Sequence, residues 1–257
     1  MIYGISEISI ISVRKESNRQ SEMISQILFG ETLQIIEEAK DWCYIKTTID
    51  DYEGWVNSNS ISKISDIDFE KLSREKQHIV TNLFNEIKNT RDNSTTIIPF
   101  GSSLPNFDLN QNSFSINSNE YKLIDVDKGD NIKDIAALTR SFINAPYLWG
   151  GRNIFGIDCS GFSQIIFKTL GITLPRDARD QVKIGTTVNF IGDTQVGDLA
   201  FFDDTEGNIT HVGIIIEQNK IIHSHVKVRV DKLDQQGIYN TEFNKYTHKL
   251  RIIKRLI

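Results

Sequence analysis

From residue 8 to residue 62 no apolar run is longer than six residues: ISIISV, SQILFG, LQII, WCYIK and GWV follow one another between polar turns. Each run is too short for an ordinary helix and rich in β-branched or aromatic side chains, so each predicts a strand. Gly30 and Gly54 fall where the backbone must turn or be closely approached. Many short strands in so few residues predict a small all-β barrel over residues 1–62. In WCYIK, alternation places Cys43 on the face opposite Trp42 and Tyr44, as a buried strand residue.

Asp66 to Thr90 carries Phe69, Leu72, Ile79, Val80, Leu83, Phe84 and Ile87 at helical spacing and predicts a helix ending at the turn formers TRDNSTT. TIIPFGSSLPNF, SFSI and YKLI then read as further strands. Residues 63–129 are therefore a helix plus a β-rich connecting segment, or a second, degenerate barrel. The GSS within it is not a phosphate loop, because no Gly-Lys-Ser/Thr follows.

Beyond residue 130 the period changes, and residues 130–257 read as a separate domain. NIKDIAALTRSFIN places Ile132, Ile135, Ala136, Leu138, Phe142 and Ile143 on one helical stripe that Pro146 ends. GIDCSGFSQIIF begins a second helix, through Phe162, Ile165, Ile166 and Leu170, stopping at Gly171. The strands LAFF, HVGIII, KIIHSHVKV and YTHKLRIIKRLI follow, so the class is α+β. The basic ending, with Leu250, Ile252 and Ile253 among Lys and Arg, reads as a closing strand with a solvated face.

A formal charge of -5 offers no basic face for a nucleic-acid partner. No apolar run approaches the roughly 18 residues that would span a bilayer. The N-terminus lacks a basic start and carries Glu7, so the expected compartment is the cytoplasm, or the periplasm or exterior if a signal has been trimmed away. Two widely separated cysteines, Cys43 and Cys159, do not make a disulfide framework.

The chemistry centres on Cys159. Asp158 is placed to cap the helix that starts there, and the helix N-terminus favours a negative sulfur, so a lowered thiol pKa is expected. Gly161 leaves room for a substrate or a neighbouring backbone. A nucleophilic cysteine needs a base and an orienting group. His78 and His248 read as surface residues, whereas His211, His223 and His225 lie on two strands joined by Glu217-Gln218-Asn219-Lys220. If that connection leaves an odd number of residues unpaired the three share a face; otherwise His211 faces away from the other two. The same three imidazoles make a zinc site the competing reading, without Cys-x-x-Cys or His-Glu-x-x-His to support it.

YLWGG, GIDCSGFSQ, LPRDARDQ, VGDLAFF, ITHVGIII and KIIHS occur in the order found in NlpC-type cell-wall cysteine peptidases, which residues 130–235 resemble. The barrel segment resembles the bacterial SH3-like domains appended to such enzymes. The resemblance implies a papain-like core, Cys159 as nucleophile, His211 as general base and acid, and His223, rather than His225, orienting His211. It also implies an odd or bulged register, and Tyr147 beside the Cys159 N–H as an oxyanion donor.

Members with an SH3-like barrel resemble γ-D-glutamyl-L-diamino acid peptidases that cut murein peptides bearing a free N-terminal L-alanine. That implies Glu16, Tyr52, Trp149, Asp158, Ser160 and Asp177 as the substrate pocket, no metal or cofactor, and a monomer whose partner is the murein peptide. Each has a plainer alternative: Asp158 and Asp177 as helix caps, Trp149 as core, Glu16 as a solvated charge. Arg176 pairs either with a substrate carboxylate or with a structural acid, and Ala178 stands where many members have a hydroxyl. Asp198 reads as a strand-entry turn. Asp158→Asn is expected to impair catalysis while leaving the fold intact. The rival classes are a silent murein-peptide binder, a metal hydrolase and an acyltransferase.

Overall fold

A computed structural model describes residues 1–74, 77–124 and 134–256. The chain falls into two compact units, Met1–Asp130 and Asn131–Ile257. The domain boundary expected near residue 130, and Ile132 of the expected stripe, lie outside the described residues. Among the described residues no helix is long and apolar enough to cross a membrane.

In the first unit, β1 (Ile2–Ile5), β2 (Ile10–Arg14), β3 (Met23–Leu28), β4 (Thr32–Ala39), β5 (Trp42–Thr47), β6 (Glu53–Asn57) and β7 (Ser62–Ile64) pair antiparallel. Their order is β3-β2-β6-β5-β4-β1-β7. Alternation buries Cys43 with Val13, Ile27, Leu33, Ile45 and Val56, as expected.

The long helix expected over Asp66–Thr90 is not present. α1 spans only Asp66–Arg74, with Leu72 buried and Phe69 stacked on Tyr3 at 3.6 Å between ring centroids. β8 (His78–Ile79) and β9 (Phe84–Asn89) follow, then β10 (Thr95–Pro99), β11 (Ser103–Leu104), β12 (Ser113–Ile116) and β13 (Asn119–Leu123). In β9 the buried residues are Asn85, Ile87 and Asn89, a period of two, while Phe84 is 58% exposed. Apolar residues at three- and four-residue spacing also fit strands once tertiary partners choose the face. TRDNSTT therefore turns the β9–β10 hairpin, with Asn93 in the left-handed region at φ 63°. His78, expected on an exposed helix, is half-buried with its ring 4.7 Å from that of Phe107.

Strands β10-β9-β13-β12 form one sheet, and β11 pairs with β8. The residues after 63 share a core with the barrel strands: Ile5, Phe29 and Ile64 pack with Val80, Ile98, Phe114 and Leu123.

The second unit opens with α2 (Ile135–Arg140), capped by the Asp134 carboxylate, which accepts from the N–H groups of Ala136 and Ala137 at 2.9 and 3.2 Å. It ends well before Pro146, the expected stop. Asn144 takes the left-handed conformation at φ 71° and turns the chain. After a short hairpin, β14 (Arg152–Asn153) with β15 (Gly156–Ile157), comes α3 (Cys159–Thr169). α3 stops where Gly171 was expected to stop it. Gly171 sits at φ 78°, its N–H donates to Lys168 O, and the Ile172 N–H donates to Phe167 O.

α4 (Ala178–Gln181) and β16 (Thr186–Val188) lead into β17 (Leu199–Asp203), β18 (Ile209–Glu217), β19 (Lys220–His225), β20 (Lys227–Leu233), β21 (Gly237–Asn240) and β22 (Lys245–Arg255). These last six close into a ring, because β22 pairs with both β17 and β21.

Directly paired residues share a face of the sheet. The pairs Ala200↔Gly213, Phe202↔His211, Ile215↔Ile221, His223↔Arg229 and Ile238↔His248 therefore assign residues to one face. Ala200, Phe202, Ile215, Ile221, Leu233, Ile238 and Ile253 pack together from all six strands, so this face is the ring interior. The apolar plug and the histidines share that interior. On the outside α3 packs against β18, which explains why β18 is buried without a break from His211 to Ile216.

The β18–β19 hairpin carries a bulge. Ile215 pairs with Ile221 and Glu217 with Lys220, leaving Ile216 without a partner. Counting on from Ile214↔Ile222, His211 falls opposite His225 and on the same face as His223. The odd register is realised by this one residue. Gly213 lies on the same face between His211 and Ile215, and a Cβ there would stand 2.6 Å from Ile221 Cδ1 and 2.9 Å from His223 Cβ. Gly213→Ala is expected to lower stability by roughly 1–3 kcal/mol through overpacking. Chemical denaturation checks it, and an unchanged midpoint would show that the hairpin has slack.

Candidate active site

Asp158 precedes α3 in extended conformation and is 5% exposed. Its Oδ1 accepts from the Gly161 N–H at 2.7 Å and from Arg176 Nη1 at 3.0 Å. Its Oδ2 accepts from the Gly150 N–H at 2.8 Å and from Arg176 Nη2 at 2.5 Å. The Ser160 hydroxyl donates to Oδ1 at 3.3 Å and accepts from Arg176 Nη1 at 2.9 Å. This is the capping alternative, with a buried ion pair added. Arg176 is the structural partner, and Ser160 is buried between the two charges.

The room left by Gly161 is taken by backbone, since a Cβ there would lie 2.3 Å from Gly151 O. Behind α3, the Gln181 amide donates to Ser160 O at 3.0 Å and Pro175 O at 2.8 Å, while its oxygen accepts from Ser163 Oγ at 2.7 Å. The first turn of the helix is held from two sides.

Cys159 and His211 border one cavity of about 380 Å³, together with Tyr147, His225, Val226 and His248. Val226 is exposed and holds φ 64°, a conformation that a β-branched residue seldom adopts, and its carbonyl accepts from the Tyr147 N–H at 2.9 Å. His211 Nε2 lies 2.8 Å from His223 Nδ1, and His223 Nε2 lies 3.1 Å from Asp231 Oδ2. Ring stacking completes the group: His248 lies over His211 with centroids 4.1 Å apart.

His248 was expected at the surface, but β21–β22 pairing turns it into the ring. The signal was hidden, because a histidine among basic residues reads as solvated. Asp231 and Arg229 were missed for a similar reason. KVRVDKL alternates charge with valine, which resembles a strand with one wet face until the ring encloses that face.

Burial pushes the Cys159 thiol up to about 12, Asp158 adds to the rise, and the Val212 N–H, Arg176 and the Ser160 N–H only partly offset it. The expected lowering by the helix N-terminus is thus overturned, because desolvation of the sulfur outweighs the donors around it. Burial, followed by the neighbouring histidines 223, 248 and 225, holds His211 well below the usual imidazole range. Both shifts run toward the uncharged forms, the thiol of Cys159 and the neutral imidazole of His211. Tyr147 is pushed up to about 12 by burial, then by Cys159 and Asp158, so its phenol stays an O–H donor.

The remaining candidates separate. Trp149 is 60% exposed, which excludes the core alternative. Asp177 occupies the cap position of α4, but its carboxylate makes no cap and pairs with Arg179 at 2.9 Å. Asp198 accepts from Arg255 Nε and Nη2 at 2.8 Å each and from the Gln195 N–H at 2.8 Å, a structural turn. Glu16 is exposed and Tyr52 half-buried within the first unit, Tyr52 donating its N–H to Thr47 Oγ1 at 3.0 Å. The zinc reading finds no support in the geometry: His211 and His223 turn their nitrogens on each other, and among the described residues no His/Cys/Asp/Glu group is placed to hold an ion.

Residues 144–251 match the NlpC/P60 family, and residues 13–61 match the bacterial dipeptidyl-peptidase Sh3 domain. The probable endopeptidase NlpC of Escherichia coli (strain K12) is 34% identical over 115 residues, which cover 43% of this chain and 74% of that protein. The chain belongs to the NlpC/P60 family. It is a cysteine peptidase, and the NlpC/P60 match takes in the whole cavity from Tyr147 to His248.

Similarity extends beyond the NlpC/P60 domain. The γ-D-glutamyl-L-lysine dipeptidyl-peptidase of Bacillus subtilis (strain 168) is 29% identical over 215 residues, covering 78% of this chain and 71% of that protein. Dipeptidyl-peptidase 6 of Lysinibacillus sphaericus is 27% identical over 250 residues, covering 86% and 88%. A crystal structure of an NlpC/P60 family protein from Bacillus cereus ATCC 10987 has the same fold, with a TM-score of 0.81 at 19% identity, covering 98% of this chain and 99% of that one.

Two outcomes follow from the NlpC/P60 site. Ultraviolet absorbance of the thiolate, taken as the difference from Cys159→Ala, is expected to rise only at alkaline pH. A plateau reached below neutrality would mean a preformed ion pair instead. Asp158→Asn leaves Arg176 charged and buried, so it is expected to cost about 3–5 kcal/mol of stability rather than leave the fold untouched. Thermal unfolding checks this, and an unaltered transition would show that the pair carries little.

Proposed function

We propose that this peptidase hydrolyses the γ-D-glutamyl–L-diamino acid bond of murein peptides and requires a free N-terminal L-alanine. One observation carries the reading: Cys159 and His211 meet at a single cavity, in a chain that joins an NlpC/P60 domain to a dipeptidyl-peptidase Sh3 domain. Two long relatives named as dipeptidyl-peptidases support the substrate class.

The neutral pair sets the order of events. Cys159 attacks the scissile carbonyl while His211 takes the thiol proton, so the sulfur gains charge as its bond to carbon forms. The Tyr147 hydroxyl, kept protonated by its surroundings, donates to the developing oxyanion. His211 then gives its proton to the leaving amine of the diamino acid. Water, deprotonated by the same imidazole, releases the acyl dipeptide from sulfur. His223 holds His211 in orientation, and exposed Trp149 offers an apolar wall for the substrate.

Incubation with L-Ala-γ-D-Glu-meso-diaminopimelate or its lysine counterpart, and with the N-acetylated forms, tests the reading. The free-amine peptides are expected to react about 10- to 100-fold faster, the worth of a hydrogen-bonded charge. Equal rates would discard the amine requirement. Activity that survives Cys159→Ala would discard the cysteine mechanism.

A further inference from the structure

We propose that Asp231, clamped by Arg229, is a positioning residue that sets the tautomers of His223 and then of His211, and so leaves the base nitrogen of His211 bare. The inference rests on the peptidase reading above and adds a residue outside the Cys159–His211–His223 set.

The argument follows the hydrogen atoms. Arg229 donates from Nε to Asp231 Oδ2 at 2.7 Å and from Nη2 to Oδ1 at 2.9 Å. A guanidinium does not lose its proton at working pH, so this two-point contact keeps the carboxylate ionised. An ionised carboxylate only accepts. Asp231 Oδ2 lies 3.1 Å from His223 Nε2, and that nitrogen must therefore carry the hydrogen.

A neutral imidazole has one N–H, which leaves His223 Nδ1 as an acceptor. Its neighbour at 2.8 Å is His211 Nε2, which must then be the donor. The remaining nitrogen of His211, Nδ1, is left without a hydrogen and is the one able to take the thiol proton. Reversing the first tautomer would point the lone pair of His223 Nε2 at the carboxylate and make His211 Nε2 the acceptor, with Nδ1 already protonated. The base would be lost with no heavy atom displaced.

The surroundings enforce the arrangement. Asp231 is 6% exposed and His223 fully buried, so no water competes for these bonds, and both belong to the ring interior. Arg229 is tied by Nη1 to Glu242 Oε2 at 3.0 Å, which fixes the fork that holds the carboxylate. Burial keeps His223 below the usual imidazole range even though Asp231 opposes the shift, so the ring stays neutral and carries a single hydrogen.

Asp231→Asn tests the proposal, because an amide has one oxygen and cannot accept from Arg229 and His223 as the carboxylate does. On the full chain, kcat is expected to fall by about 100-fold or more with KM little changed. Ring-nitrogen NMR of the ¹⁵N-histidine-labelled wild type is expected to show His223 protonated at Nε2 and His211 at Nε2, and the variant is expected to lose that pattern. A folded Asp231→Asn enzyme with near-native kcat would overturn the proposal. So would a wild-type spectrum with His223 protonated at Nδ1, and this measurement stands even if the variant does not fold. Either result leaves the peptidase reading intact provided Cys159→Ala is inactive; an active Cys159→Ala enzyme would instead remove the reading on which the proposal rests.

Discussion

Closing six strands into a ring is the constraint from which the rest of the catalytic unit follows. Once β22 pairs with both β17 and β21, every second side chain of those strands faces an enclosed space. Apolar residues fill part of it as a plug around Phe202, Ile215 and Ile221. The rest holds imidazoles, the Asp231 carboxylate and the Arg229 guanidinium, and the most buried of them, His211, His223 and Asp231, are satisfied by bonding within the group. The hydrogen-bonded series from His211 through His223 and Asp231 to Arg229 is what that enclosure demands.

Enclosure also sets the acid–base balance. Desolvation raises the Cys159 thiol and lowers the His211 imidazole, so both shift toward their uncharged forms. A neutral thiol is a poor nucleophile toward stray electrophiles, and in the proposed mechanism the charge separates only when a carbonyl is in place to receive the sulfur. The buried Asp158–Arg176 pair serves the same end from the helix side. It fixes the first turn of α3, and with it the sulfur, and Asp158 raises the Cys159 thiol more than Arg176 lowers it.

Much of this was legible in the chain. Short β-branched runs marked the strands of the first unit, Gly171 marked the end of α3, and GIDCSG placed a thiol at a capped helix start. The three histidines flanking one hairpin were visible too, though their common face hung on whether a residue was left unpaired. Other features were invisible for definite reasons. The stripe from Ile79 to Ile87 satisfies a helix and a strand alike, and the choice fell to packing against Phe29, Ile98 and Phe114. His248, Arg229 and Asp231 look like ordinary solvated charges on alternating strands.

Local order and residue chemistry belong to the sequence: turn formers, periodicity and a cysteine next to an acid are properties of neighbouring residues. Which nitrogens meet, which charges are buried and how the thiol titrates depend on contacts between residues far apart in the chain. A single bulge at Ile216 and one pairing between β21 and β22 settle which histidines meet, and the packing of Arg176 on Asp158 settles the surroundings of the thiol. Neither the bulge nor the pairing leaves a mark in composition, because register and closure are collective choices among strands that each read as plausible alone.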